Sequence, residues 1–296
     1  MGLQNKIELG AVQSTDECSV SHSDVAGTTG PLRSGEVAIV GAGPGDPELL
    51  TLKAYKLLLS ADVVLYDYLV AAEILALVKA NTQLVCVGKR AGKHKVDQQQ
   101  TNQWLIDYAR QGKKVVRLKG GDPFMFGRGG EEIAELVVAG ICFQVVPGIT
   151  SASGASAYAG LPLTHRDYAQ SVTFVTGHQQ GTQGNGSELD WHAMSRPNQT
   201  LVIYMGVAKA PLMQKQLLEN GRAADTPVAI IAKATQPSQK IWVGRLDQLS
   251  DLADDACTPA LIIVGEVVSL AEKQQWLESS RWASSPTRVE SLTHTI

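Results

Sequence analysis

The sequence predicts an α/β protein whose first half is built on a mainly parallel sheet. Short β-branched runs alternate with stretches of helical period from residue 36 to residue 146, the pattern of β–α–β units. Several of these runs end in glycine-rich loops, and in open α/β sheets the carboxyl ends of the strands are where ligands sit. A length of 296 residues allows two domains of about 100–150 residues each.

The elements follow in order. Residues 1–34 are rich in Ser, Thr and Gly, show no sustained period, and read as a disordered leader. Order begins with a strand over Glu36–Val40, which runs into Gly41-Ala-Gly43-Pro44-Gly45-Asp46-Pro47 and a helix opening at Glu48. This arrangement invites a dinucleotide reading. The third glycine of GxGxxG is Asp46, however, and its charge would repel a pyrophosphate at the helix start. Asp62–Asp67 is the second strand, followed by a helix over Ala71–Lys79. Leu84–Gly88 is the third, ending in Lys89-Arg90, and the spacing of Trp104, Leu105 and Tyr108 makes Asp97–Gln111 a helix.

The stretch that organises the chain comes next. A strand over Lys114–Leu118 breaks at Gly120-Gly121, passes Asp122-Pro123 and Phe124-Met125-Phe126, and enters a helix behind Gly129-Gly130. Paired glycines let backbone approach a ligand closely and adopt positive φ. A loop that only turns does not require five glycines, Asp122, Arg128, Glu131 and Glu132 around three apolar side chains, so the stretch reads as a binding site. The helix Glu131–Ala139 closes at Gly140, and Phe143–Val146 is the fifth strand before Pro147-Gly148. The small-residue run Ile149–Tyr158 is either a tightly packed helix or a linker lining a cleft.

The second half starts at about Ser171. Its strands are Val172–Val175, Leu201–Tyr204, Val228–Ile231, Ile241–Val243 and Leu261–Val264, and the turn Gln236–Gln239 predicts an antiparallel pair. The expected divisions are a leader 1–34, an α/β domain 35–148, a linker and cleft-lining segment 149–170, a second α/β domain 171–272, and a tail 273–296 holding Trp276 and Trp282.

Composition narrows the function. A net charge of −3 argues against generic nucleic-acid binding. No run approaches the roughly 20 apolar residues of a membrane span, and no signal-peptide core opens the chain. The four cysteines lack CxxC pairing and read as buried free thiols in a reducing cytoplasm. The six histidines form no metal-ligand cluster, so no metal site is expected. Charge is unevenly spread: residues 89–128 hold ten Lys/Arg against three Asp, a segment of +7 that leaves −10 for the remainder. Lys89, Arg90, Lys93 and Lys95 follow a strand and suit an anionic small molecule, whereas Arg110, Lys113 and Lys114 suit a solvated helix face.

Read together, Val40–Pro47, Tyr66-Asp67, Val87–Arg90, Arg117–Glu132, Val146–Ser151, Gly160–Gln170, Val175–His178 and Tyr204-Met205-Gly206 resemble the uroporphyrinogen-III C-methyltransferases of the tetrapyrrole methylase superfamily. The likeness covers roughly residues 35–272, and the long glycine loop and the Thr164-His165-Arg166-Asp167 loop are its specific parts. It implies two α/β domains with the active site in the cleft between them, assembled as a homodimer. It implies transfer of two methyl groups from S-adenosylmethionine to uroporphyrinogen III, at C-2 and C-7, giving precorrin-2 for siroheme, cobalamin or heme d1. Residue by residue it assigns the donor to Pro44, Gly120, Gly121, Asp122, Met125, Thr150, Ser151, Met205 and Ala234, and acid/base roles to Asp67 and Lys89. Relatives often carry Ile at Met125, Ala at Ser151 and Gly at Ala234, changes that touch only local donor contacts.

The chemistry fits this residue inventory. An electron-rich pyrrole carbon attacks a sulfonium methyl directly, so in-line placement matters more than a nucleophilic side chain. A proton must then leave, which a carboxylate or amine assists. Asp67 reads equally as a helix N-cap, and Lys89 equally as a partner for a substrate carboxylate. The acceptor carries eight carboxylates, which suit arginine forks, so Arg128 and Arg166 are the expected anchors, with Glu131 orienting. Arg128 also reads as a structural pair with Glu131 or Glu132, His165 and His178 as loop-satisfying groups, and Met205 by itself as core. Competing readings are a methylase of another tetrapyrrole and a non-methylating dinucleotide-binding protein. Siroheme synthases fuse the methylase to a dehydrogenase–chelatase module, and with about 34 polar residues ahead of the first strand this chain is expected to stop at precorrin-2.

Overall fold

The computed structural model describes residues 30–88, 97–177, 189–271 and 273–274. Most of the expected leader, Lys89 with its basic neighbours, His178 and the tryptophan-bearing tail lie outside the described residues.

Five strands form the first sheet: β1 (Val37–Gly41), β2 (Val63–Tyr66), β3 (Gln83–Cys86), β4 (Val115–Lys119) and β5 (Phe143–Val146). Their order is β3-β2-β4-β1-β5 and every pairing is parallel. Parallel sheets are covered on both faces, which is why β1 and β4 are buried along their whole length. Strand period sorts the side chains. Ala38, Val40, Val64, Val116 and Leu118 pack with α1 (Leu52–Ser60) and α2 (Ala72–Leu75). Val37, Ile39, Val63, Leu65 and Val115 face α3 (Gln98–Arg110) and α4 (Gly129–Val138). The chain leaves β1 toward β2 on one side and leaves β4 toward β5 on the other, so a crevice opens at the carboxyl ends of these adjacent strands.

Several boundaries differ from the sequence expectation. The helix expected at Glu48 is a short 3₁₀ turn, Pro47–Leu49, capped by Asp46 Oδ1 accepting from Glu48 N at 2.9 Å. The α-helix proper starts after Thr51, whose hydroxyl accepts from Ala54 N at 3.1 Å. The helix expected over Ala71–Lys79 shrinks to the single turn of α2, and Ala71, not Asp67, caps it. Leu32, placed by sequence in the leader, is buried against the α1 side of the core. The three thiols among the described residues are not buried either. Cys86 ends an edge strand and Cys257 lies in a loop, both half-exposed, and Cys142 is exposed just before β5.

The second half begins with α5 (Ser151–Tyr158), so the small-residue run is a packed helix. Its sheet comprises β6 (Ser171–Thr176), β7 (Gln199–Tyr204), β8 (Pro227–Ala232), β9 (Lys240–Arg245) and β10 (Ala260–Val264), in the order β6-β7-β10-β8-β9. Only β6 and β7 run parallel; β8 and β9 form the expected antiparallel pair. Three helices not expected from the sequence, α6 (Trp191–Met194), α7 (Ala210–Glu219) and α8 (Leu249–Asp254), cover Leu201, Ile203, Ile230 and Trp242 on one face. On the other face α5 meets Val202, Ala229, Ile231 and Ile263. Small residues matter there, because a Cβ on Gly154 would lie 2.5 Å from Pro44 Cγ of the first half. Asp46 joins the halves: its carboxylate accepts from Tyr158 Oη at 2.6 Å, and its N–H donates to Thr235 Oγ1 at 3.0 Å.

Among the described residues no helix is long and apolar enough to cross a membrane, and no cluster of His, Cys, Asp and Glu could hold a metal. Backbone meets backbone where β1, β4 and β5 end. A Cβ on Gly148 would lie 2.3 Å from Gly121 O, and one on Gly41 would lie 2.5 Å from Gly148 N. Gly148→Ala is therefore expected to destabilise the protein by about 3 kcal/mol, the upper end of the overpacking range. Urea unfolding followed by circular dichroism measures it.

Candidate active site

The crevice at the ends of β1 and β4 continues into a cleft whose far wall is the second sheet. Six of the nine positions that the resemblance assigns to a methyl donor line it: Pro44, Gly120, Gly121, Ser151, Met205 and Ala234. Gly121 stands at φ 69°, and a Cβ there would meet only Ser151 at 3.5 Å, so the glycine leaves room in the cleft. Met205, which by pattern alone reads as core, is 54% exposed and sits at φ 53° just past β7. The remaining three positions lie behind the wall. Asp122 accepts from the N–H groups of Phe124 (2.8 Å), Met125 (3.1 Å) and Gly148 (3.1 Å), so this carboxylate shapes the long loop and pins it to the end of β5. Met125 packs on the second-half core, and Thr150 precedes α5.

Tyr204 is a cleft residue that sequence reasoning missed. Its phenol oxygen lies 2.6 Å from Thr150 Oγ1 and accepts from Ala152 N at 3.2 Å. Thr150, at the N-cap of α5, makes no capping bond of its own; Tyr204, at the end of β7, supplies the acceptor. Burial pushes the Tyr204 phenol above its ordinary value, against the opposing pull of those hydrogen bonds, so the group stays neutral. Phe126 packs against its ring in a tilted arrangement, with 4.8 Å between centroids. Lys233 also lines the cleft unforeseen, at φ 48°. Left-handed backbone at Phe126, Arg128, Met205, Lys233 and Thr235 concentrates around this site, in loops from both halves.

Beside the cleft lies a buried charge cluster. Arg117 and Lys119, two apart on β4, both point toward α3 and α4. Arg117 donates through Nη2 to Asp67 Oδ1 at 2.5 Å and through Nε to Glu132 Oε1 at 2.9 Å. The same Glu132 oxygen accepts from Lys119 Nζ at 3.0 Å and Gln98 Nε2 at 3.1 Å. Burial pulls the Arg117 guanidinium down, but Asp67 and then Glu132 outweigh it and the net shift is upward. Burial, with the neighbouring Arg117 charge, holds Lys119 below the ordinary lysine range. Asp67 is thus the partner of Arg117 and no helix cap. Two of the ten basic residues counted between 89 and 128 are spent on internal pairs and offer nothing to a surface anion. The spacing of Arg117 and Lys119 among Val115, Val116 and Leu118 was the available signal that a buried carboxylate had to meet them.

The expected anchors lie at the surface. Arg128 pairs bidentately with Glu131, at 2.9 and 2.6 Å. That hydrogen bond raises the guanidinium and lowers the Glu131 carboxyl from their ordinary values. Arg166 is exposed on a tight loop closed by paired backbone hydrogen bonds between His165 and Ala169. His165 Nδ1 accepts from Asp167 N at 3.2 Å, the loop-satisfying part expected of it.

Comparison with known proteins follows this geometry. Residues 36–250 match the family model of Tetrapyrrole (Corrin/Porphyrin) Methylases. The siroheme synthase of Psychromonas ingrahamii is 59% identical over 248 residues, which are 84% of this chain and 52% of that protein. The siroheme synthase of Zymomonas mobilis is 60% identical over 247 residues, 83% of this chain and 52% of that protein. The chain thus spans about half the length of the curated relatives it matches. Among solved structures, the uroporphyrin III C-methyl transferase of Thermus thermophilus is 42% identical with a TM-score of 0.69, covering 79% of this chain and 99% of its own. It has also been solved in complex with S-adenyl homocysteine.

Tyr204→Phe removes the acceptor that caps α5. The expected cost is about 1–2 kcal/mol, read as a fall in the urea midpoint, and Thr150→Ala is expected to cost less because Ala152 N keeps its partner.

Proposed function

This chain belongs to the tetrapyrrole (corrin/porphyrin) methylase family, and from that membership we propose that it methylates uroporphyrinogen III with S-adenosylmethionine. The sites are C-2 and C-7, and the product is precorrin-2, formed by way of precorrin-1. The observation that supports this most is the single cleft shared by six positions from separate loops: Pro44, Gly120, Gly121, Ser151, Met205 and Ala234. Its near wall is mostly backbone, with room at Gly121 that a side chain would fill, as a ligand gripped by N–H and C=O groups requires. The relatives named siroheme synthases favour siroheme as the destination of the product.

S-adenosylmethionine supplies an electrophilic methyl on a positively charged sulfur. A pyrrole carbon forms the new C–C bond as the C–S bond breaks, the sulfur leaves with the electron pair as a thioether, and the ring then sheds a proton. The donor rests against the six cleft positions, with Asp122, Met125 and Thr150 supporting them from behind. Met205 and Tyr204 provide an apolar, partly aromatic surface beside the reaction path. Asp67, at the sheet's carboxyl edge and 28% exposed, accepts the proton, with Lys89 as the second acid/base group. Arg128 and Arg166 grip acceptor carboxylates, Glu131 holding the Arg128 fork in one orientation. The active assembly is a homodimer.

An anaerobic assay with uroporphyrinogen III and labelled S-adenosylmethionine, read by the mass of the tetrapyrrole, should find two methyls per ring; none, or one as the end product, would overturn the proposal. Arg128→Ala or Arg166→Ala is expected to raise KM for the porphyrinogen about tenfold or more. Adenosylhomocysteine affinity should change by less than about twofold in the same variants, by calorimetry. Gly121→Val should behave oppositely and abolish adenosylhomocysteine binding, because it fills the cleft at a backbone angle that valine resists.

A further inference from the structure

We infer that Glu132 is a positioning residue that acts on Asp67 through Arg117, an inference that rests on Asp67 accepting the proton as proposed above. Glu132 touches neither the cleft nor solvent; it is 0% exposed, under the face of β4 covered by α3 and α4. Its Oε1 gathers three donors from two elements, Arg117 and Lys119 of β4 and Gln98 of α3. Its Oε2 accepts from no group among the described residues. A buried ion cluster is a weak device for stability, since well-packed apolar side chains serve as well or better. What this cluster has that an apolar core lacks is one member at the reaction edge. Arg117 is fixed on three sides, by Glu132 at Nε, by the Leu118 carbonyl at Nη1 (3.1 Å), and by Asp67 at Nη2. The guanidinium therefore presents Nη2 in one direction, and Asp67 is oriented by it.

Glu132→Gln keeps the length of the side chain and one acceptor while removing the charge that anchors Arg117 Nε. Glu132→Gln combined with Lys119→Met removes one charge of each sign, so the buried set stays balanced and folding is protected. In both variants the guanidinium loses its charged anchor and Asp67 its fixed partner direction. The Asp67 carboxyl ¹³C resonance, assigned with Asp67→Asn and read at one fixed pH, should broaden, as that of a carboxylate sampling several orientations does. kcat should fall about tenfold, with KM for the porphyrinogen and adenosylhomocysteine affinity unchanged. A residue that merely supports the fold would lower the melting temperature and leave the resonance and kcat in place. An unchanged Asp67 resonance overturns the inference whatever the activity. A broadened resonance with unchanged kcat overturns the link to the reaction. If the parent protein transfers no methyl while the Asp67 resonance still responds to Glu132, the coupling stands and the proposed substrate fails.

Discussion

Where β1, β4 and β5 end, three backbones touch with no side chain between them, and the arrangement of this molecule depends on that contact. Gly41, Gly121 and Gly148 approach so closely that a single added carbon on Gly41 or Gly148 would overlap a neighbouring peptide. The contact brings the first loop, the long glycine loop and the start of α5 to one place. It also fixes Asp122, whose carboxylate bonds to Gly148 N across the gap. Strand order makes the crevice, but glycine makes it narrow and lines it with peptide groups. Peptide donors and acceptors suit a ligand that must be held in one orientation while a methyl group is presented in line.

Around this contact the two halves interlock through polar groups that each satisfy another element's need. Tyr204 of β7 caps α5, Tyr158 of α5 binds Asp46 of the first loop, and Thr235 receives the Asp46 N–H. Gln239 completes the set, bonding Thr235 N and the Tyr158 carbonyl. These are buried or half-buried bonds, for which leaving one partner unmet costs more than making the bond gains. The loops are thereby held in left-handed conformations at non-glycine residues, Met205, Lys233 and Thr235 among them. Such conformations persist only where surroundings enforce them, and here they bend side chains and peptide groups toward the cleft.

Charge is divided by depth. Arg128, Glu131 and Arg166 are exposed and free to exchange partners with a polyanion, whereas Arg117, Lys119 and Glu132 are sealed beneath helices. Asp67 joins the buried set to the reaction edge. A count of basic residues along the chain merges the two groups, although one recognises and the other organises.

The strands were legible because β-branched runs carry their own preference and period, and the glycine loop because its density exceeds what a turn needs. The eight motifs in order were enough to point to the family that the comparisons bear out. The reading of Ile149–Tyr158 stayed open between helix and linker, because small side chains carry no amphipathic signal. Partners were beyond reach for a different reason. Arg117 and Glu132 lie 15 residues apart in sequence, Asp67 and Arg117 50, and Thr150 and Tyr204 54. Local sequence dictates backbone preference and which face of an element is apolar. Whether Asp67 caps a helix or answers a buried arginine, and whether Met205 fills a core or walls a cleft, depends on strand order and helix placement. Those are set by burial summed over the whole chain, and only the tertiary structure decided them.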